Sequence, residues 1–315
     1  MSKFKLTKHD NTLVEGLSDI KLSCSPGSVV FNDLIYVFYQ GEGAHGNLYY
    51  SVYNPKTDKW TTVQKKIKDH VMTESPSAAV YNGKIYLTFQ DYEAKQIVDG
   101  YTFDPVTNIL TEVDSRYASV YSQTKPILVE FKNHFFNFEQ QKEYEGKLGS
   151  LRSYMLEGTT KPDFHKNVVW ELKCMSCSPA AIANGDNLDV FVQNYSENGE
   201  LRWLTFSGAE NSKNEFKLTK TSSQLVPSAQ MTGSPSVAIL DAFEFVFYQG
   251  SNSNGDVTRS YRALGSDSWS EVNVVDWFNS ITDSPTTVTY DKTIYLFCRD
   301  YGNGSGLQLC TLSLG

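Results

Sequence analysis

One segment recurs six times along the chain, and this repetition limits the fold more than any other feature. The copies read SPGSVVFNDLIYVFYQ, SPSAAVYNGKIYLTFQ, KPILVEFKNHFFNFEQ, SPAAIANGDNLDVFVQ, SPSVAILDAFEFVFYQ and SPTTVTYDKTIYLFCR. Their prolines are Pro26, Pro76, Pro126, Pro179, Pro235 and Pro285, at intervals of 50, 50, 53, 56 and 50. A period of this length belongs to propeller blades rather than to helical solenoids.

Each copy aligns without a gap. Six residues after the proline stands a turn position, Asn32, Asn82, Lys132, Gly185, Asp241 or Asp291, flanked by apolar runs that predict a tight β-hairpin. Eight residues further, the second strand ends in Gln40, Gln90, Gln140, Gln193, Gln249 or Arg299. That strand is apolar at most positions, as in Ile35-Tyr36-Val37-Phe38-Tyr39, which suits a strand covered on both faces by neighbouring sheets. A third strand follows (LYYSVY, IVDGYTF, SLRSYML, ELRWLTF, DVTRSYR, LQLCTLSL), then a fourth expected to open on Trp60, Trp170, Phe216 or Trp269.

The last copy runs only from Pro285 to Gly315, enough for three strands, whereas the stretch from Met1 to Pro26 has no blade of its own. The N-terminal KFKLTK also repeats the EFKLTK around Phe216, which sits where an outer strand is expected. The expected fold is therefore all-β: a six-bladed β-propeller with four-stranded blades, its ring closed by the N-terminal strand (residues 3 to 8) completing the last blade. Residues 1–315 are expected to form one domain, with blades at about 21–70, 71–121, 122–174, 175–230, 231–280, and 281–315 joined to 1–20.

Composition narrows the function. A net charge of −8 leaves no basic stripe for a phosphate backbone, which argues against nucleic acid. No run approaches the roughly 18 apolar residues of a membrane span, and MSKFKLTKHD lacks the apolar core of a secretory signal. These features predict a cytoplasmic chain that would leave the cell only by a non-classical route. The five cysteines are scattered, and the single CxxC, Cys174 and Cys177, has no partner set for zinc, so neither metal nor cofactor is expected. Acidic loop residues leave room for weak calcium binding, although no EF-hand spacing occurs.

The loops after the second strand and before the next first strand share one face of the disc and carry the candidate site. Two residues before the prolines stand Cys24, Glu74, Thr124, Cys177, Gly233 and Asp283, expected to rim the axis. Gln40, Gln90, Gln193, Gln249 and Arg299 stand across that rim, where a repeated glutamine either meets a ligand or hydrogen-bonds the next blade's backbone. Alternate repeats continue with Asp91-Tyr92, Asn194-Tyr195 and Asp300-Tyr301. An aromatic face beside an Asp or Asn suits a sugar ring, whose C–H face lies on the π surface while its hydroxyls meet the polar group. The same tyrosines could instead pack their loops.

Catalytic signatures are sparse. The five histidines lack ligand spacing, there is no GxSxG, and Glu74 with Asp283 is the one acidic pair at matching rim positions that a glycoside hydrolase could use. Six arginines, of which only Arg299 falls on the inferred rim, argue against a sialidase clamp. The chain is read as a non-enzyme.

The fourth repeat, SPAAIANGDNLDVFVQNYSENGELRW, resembles the repeat of bacterial propeller lectins of the Photorhabdus type. Ser178-Pro179-Ala180, Gly185, Leu188-Asp189-Val190-Phe191 and Leu201 carry the match. That family has seven blades and mostly Arg where five of six repeats here have Gln. The resemblance implies binding of fucosylated or methylated sugars in pockets between blades. The expected function is a multivalent lectin for glycans or glycoproteins, acting through loops of one face or inter-blade clefts; the alternative is a protein-interaction propeller within a larger assembly such as a toxin complex.

Overall fold

The computed structural model describes residues 4–9, 20–42, 46–91, 98–113, 124–141, 150–157, 163–170, 177–194, 199–212, 215–251, 255–275, 281, 284–300 and 306–315. Among these every regular element is a β-strand. The hairpins fall where the repeat places them. β2 (Gly27–Phe31) pairs with β3 (Leu34–Gln40), and the C-terminal part of β5 (Lys59–Tyr81) with β6 (Lys84–Asp91). β9 (Ile127–Phe131) pairs with β10 (His134–Gln141), and β13 (Ala180–Asn184) with β14 (Asn187–Gln193). Likewise β17 (Ser236–Leu240) pairs with β18 (Phe243–Gln249), and β21 (Thr286–Tyr290) with β22 (Thr293–Arg299). All six turn positions have positive φ, from 41° at Asp291 to 57° at Gly185, which explains the Asn, Asp and Gly found at five of them.

Third and fourth strands extend the hairpins outward. They include β4 (Asn47–Asn54) in the first repeat, β7 (Val98–Asp104) and β8 (Ile109–Glu112) in the second, and β11 (Ser150–Glu157) and β12 (Asp163–Trp170) in the third. The fourth repeat adds β15 (Glu200–Glu210) and β16 (Phe216–Gln230), the fifth β19 (Val257–Ala263) and β20 (Asn273–Val274), and the sixth β23 (Leu307–Leu314). Phe216 opens its strand and Trp60 lies at the start of another, but Trp170 ends β12 and Trp269 precedes β20 as a bridge to Arg262.

The expectation of six separate four-stranded blades needs correction. Four separate four-stranded sheets are present, together with one seven-stranded sheet of order β2-β3-β4-β5-β6-β7-β8. The cause is β5, which pairs with β4 through Lys59 to Val71 and then, unbroken, with β6 through Met72 to Tyr81. The fourth strand of the first repeat thus runs directly into the first strand of the second.

At the other seam, β1 (Phe4–Lys8) lies antiparallel to β23, from Phe4 opposite Leu314 to Lys8 opposite Cys310. It supplies the outer strand of the β21-β22-β23 sheet. The Phe4 ring packs edge-on against Phe243, Phe245 and Tyr261 of the fifth repeat.

The inner strands contact one another in a closed cycle, β2 to β5, β9, β13, β17, β21 and back to β2, which is a propeller arrangement. Serines before the repeat prolines link several of them: the Ser178 amide donates to Ser234 Oγ at 2.9 Å, the Ser234 amide to Ser284 Oγ at 2.6 Å, and the Ser284 amide to Ser25 Oγ at 2.7 Å. The cores lie between repeats, as with Phe138, Val190 and Phe206 between the sheets of the third and fourth repeats.

Candidate functional site

The axial channel is narrow. Residues from all six inner strands, including Ser28, Ser77, Ile127, Ala181, Ser236 and Thr287, line a cavity of about 100 Å³. Ligand pockets usually enclose about 300–1,000 Å³, so a sugar ring does not fit there.

The glutamines hold neighbouring repeats together where their contacts are described. Gln193 Nε2 donates to the Met231 carbonyl at 2.6 Å, and Gln249 Nε2 to that of Ile281 at 2.9 Å. The Met231 and Ile281 amides donate in turn to the Gly199 and Gly255 carbonyls, both at 2.9 Å. Gly199 has φ +63°, and a Cβ there would lie 2.3 Å from the Met231 carbonyl oxygen, so glycine is required by this close approach. Gln40 lies in the equivalent place beside Gly46 and Met72, and Gln90 accepts from Thr73 Oγ1 at 3.3 Å.

The other expected site residues are dispersed or fall outside the description. Tyr92, Tyr195, Tyr301 and Asp283 lie outside the described residues, and the Asp91 side chain is likewise not described. Asn194 Nδ2 donates to Glu200 Oε2 at 3.1 Å. Asp300 is buried, with its amide donating to the Gly306 carbonyl. Glu74 is exposed at φ +66°, its carbonyl accepting from Cys24 Sγ at 3.1 Å, and Arg299 is half-buried at the end of β22. Among the described residues no group of three or more His, Cys, Asp or Glu could hold a metal ion.

Two arginines between repeats are more informative. Arg262, between the fourth and fifth repeats, has a partner at each nitrogen: Nε donates to Glu244 Oε2 at 2.6 Å, Nη1 to the Ser266 carbonyl at 2.7 Å and Nη2 to Asp189 Oδ2 at 2.8 Å. Its guanidinium stacks 3.9 Å from the Trp203 ring centroid, while Trp203 Nε1 donates to Asp189 Oδ1 at 2.8 Å. This arginine is a structural lock.

Arg152, between the second and third repeats, is different. Phe135 and Tyr154 pack with Tyr86 across the interface, and strand alternation places Asn137 and Glu139, Arg152, and Thr88 and Gln90 on those same facing surfaces. Opposite Thr88 stands Gly100, which offers no side chain to fill the space. Arg152 Nη1 donates to the Tyr154 hydroxyl at 3.4 Å. Yet Arg152 Nε, Glu139 Oε1, Asn137 Oδ1 and Thr88 Oγ1 are buried without a partner. Burial pushes the Glu139 carboxyl up to about 8, against the opposing influence of Arg152 and Tyr154, so at neutral pH it is mostly protonated and can donate as well as accept. Buried polar atoms are normally paired, and a cluster of unpaired ones marks a place for water or ligand.

The glutamines stand out in the sequence because they repeat. Arg152 and Glu139 occur once, and the burial of their polar atoms depends on packing between repeats, so no sequence signal marks them.

No family model matches the chain, and no curated relative does. Solved structures share its fold. A protein of unknown function from Dyadobacter fermentans superposes with a TM-score of 0.68 at 9% identity, covering 92% of this chain and 94% of that one. Aleuria aurantia lectin, as an asparagine-to-glutamine mutant in complex with alpha-methyl-L-fucoside, gives 0.61 at 13% identity over 92% and 93%. A triple-arginine mutant of AofleA from Arthrobotrys oligospora gives 0.60 at 12% identity over 99% and 94%. No helix among the described residues is long and apolar enough to cross a membrane.

Proposed function

We propose that this propeller is a carbohydrate-binding protein whose sugar site is the cleft between the second and third repeats. The seven-stranded sheet then counts as two blades, which share β5, and the ring has six. The observation that carries the reading is the group of Arg152, Glu139, Asn137 and Thr88 with unmet hydrogen-bonding atoms beside the Tyr154 ring. Such a set offers a charged donor, a carboxyl that both donates and accepts, and an aromatic edge, which together suit vicinal sugar hydroxyls. The fold shared with a lectin solved in complex with alpha-methyl-L-fucoside supports the same class. Tyr92, next in sequence to Asp91 at the end of β6, is the expected aromatic closest in sequence to this cleft.

Calorimetric titration with alpha-methyl-L-fucoside and a panel of neutral methyl glycosides tests the site. Arg152→Met should weaken whichever glycoside binds at least tenfold while leaving the melting temperature within a few degrees. Unchanged affinity in a folded variant would remove this cleft from the account.

A further inference from the structure

The interface between the fifth and sixth repeats carries a different chemistry. Val257, Arg259 and Tyr261 share one face of β19, and Val257 packs with Cys298 and Cys310 across the interface. Gln308 lies on the same face of β23 as Cys310, and Lys8 of β1 stands opposite Cys310. Arg259 Nε and Nη1 and Gln308 Oε1 are buried without hydrogen-bond partners. No acidic residue within these strands shares that face; Asp300 follows β22 at the loop end, but among the described residues no carboxylate reaches Arg259 Nε or Nη1. Arg262, in the same strand, shows how this protein satisfies an arginine whose role is structural.

From this arrangement we infer that the Arg259 site binds a carboxylate-bearing sugar, the carboxylate accepting from Nε of Arg259, one sugar hydroxyl accepting from Nη1 and another donating to Gln308 Oε1. A guanidinium held partly out of water with unmet donors is costly, and a charge-assisted hydrogen bond to an anion offsets that cost. The inference rests on the carbohydrate reading for the sugar part of the ligand, while the anion site stands on Arg259 alone.

Titration with sodium glucuronate, its neutral methyl ester and acetate, on the full chain, tests it. Glucuronate should bind at least tenfold tighter than the ester; Arg259→Met should abolish that difference, Arg259→Lys should recover only part of it, and Arg152→Met should leave it intact. Melting curves establish that each variant is folded. Equal binding of acid and ester, or a folded Arg259→Met that keeps the preference, overturns the inference even if neutral glycosides bind at Arg152. If acetate binds through Arg259 and no sugar binds anywhere, the carbohydrate reading fails and the sugar part of this inference fails with it.

Discussion

Gln249 reaches from the end of one repeat into the next, its Nε2 donating to the Ile281 carbonyl at 2.9 Å while the Ile281 amide donates to the Gly255 carbonyl. The glutamine that repeats most visibly is therefore a tie between repeats here. Gln249→Ala should lower stability by about 1–2 kcal/mol, since it leaves a carbonyl without its donor. Chemical denaturation checks this; an unchanged midpoint would mean that water replaces the amide freely.

The Arg262 network predicts a larger effect. Asp189→Ala removes one of the two carboxyl groups that hold a buried guanidinium and should cost about 3–5 kcal/mol. The same denaturation experiment applies, and a loss below about 1 kcal/mol would contradict the assignment of Arg262 as a lock.

Stability should fall as pH rises. Burial raises both Glu139 and Glu244 to about 8 from a usual 4.5, so between those values the folded chain holds protons that the unfolded chain has released. Melting temperature is expected to decline from about pH 5 to about pH 8, and Glu244→Gln should flatten part of that slope. A wild-type melting temperature that rises over this window would show that these carboxyls are ionised in the fold.

The N-terminal strand predicts a stability effect far from any loop. Phe4→Ala removes three aromatic contacts with the fifth repeat and should cost about 2–3 kcal/mol. Limited proteolysis should then cut the chain faster; an unchanged digestion rate would argue that the closure contributes little.

Much of the fold could be read in the sequence because a gapless repeat reports backbone geometry. The six positive-φ turns and the pairing of Phe4–Lys8 with β23 follow directly from spacing. The continuity of β5 was not legible, since nothing in QKKIKDHVMTESP distinguishes a strand that continues from one that ends in a loop. Nor was the Arg152 site, because Tyr86 and Thr88 lie in a different repeat from Glu139 and Arg152 and face them only once the sheets pack.

A glycan array probed in parallel with the wild-type chain and with Arg152→Met tests the central claim most directly. The account predicts a consistent family of glycans bound by the wild type and lost in the folded variant. A blank array for the wild type, repeated with calcium present, would contradict it.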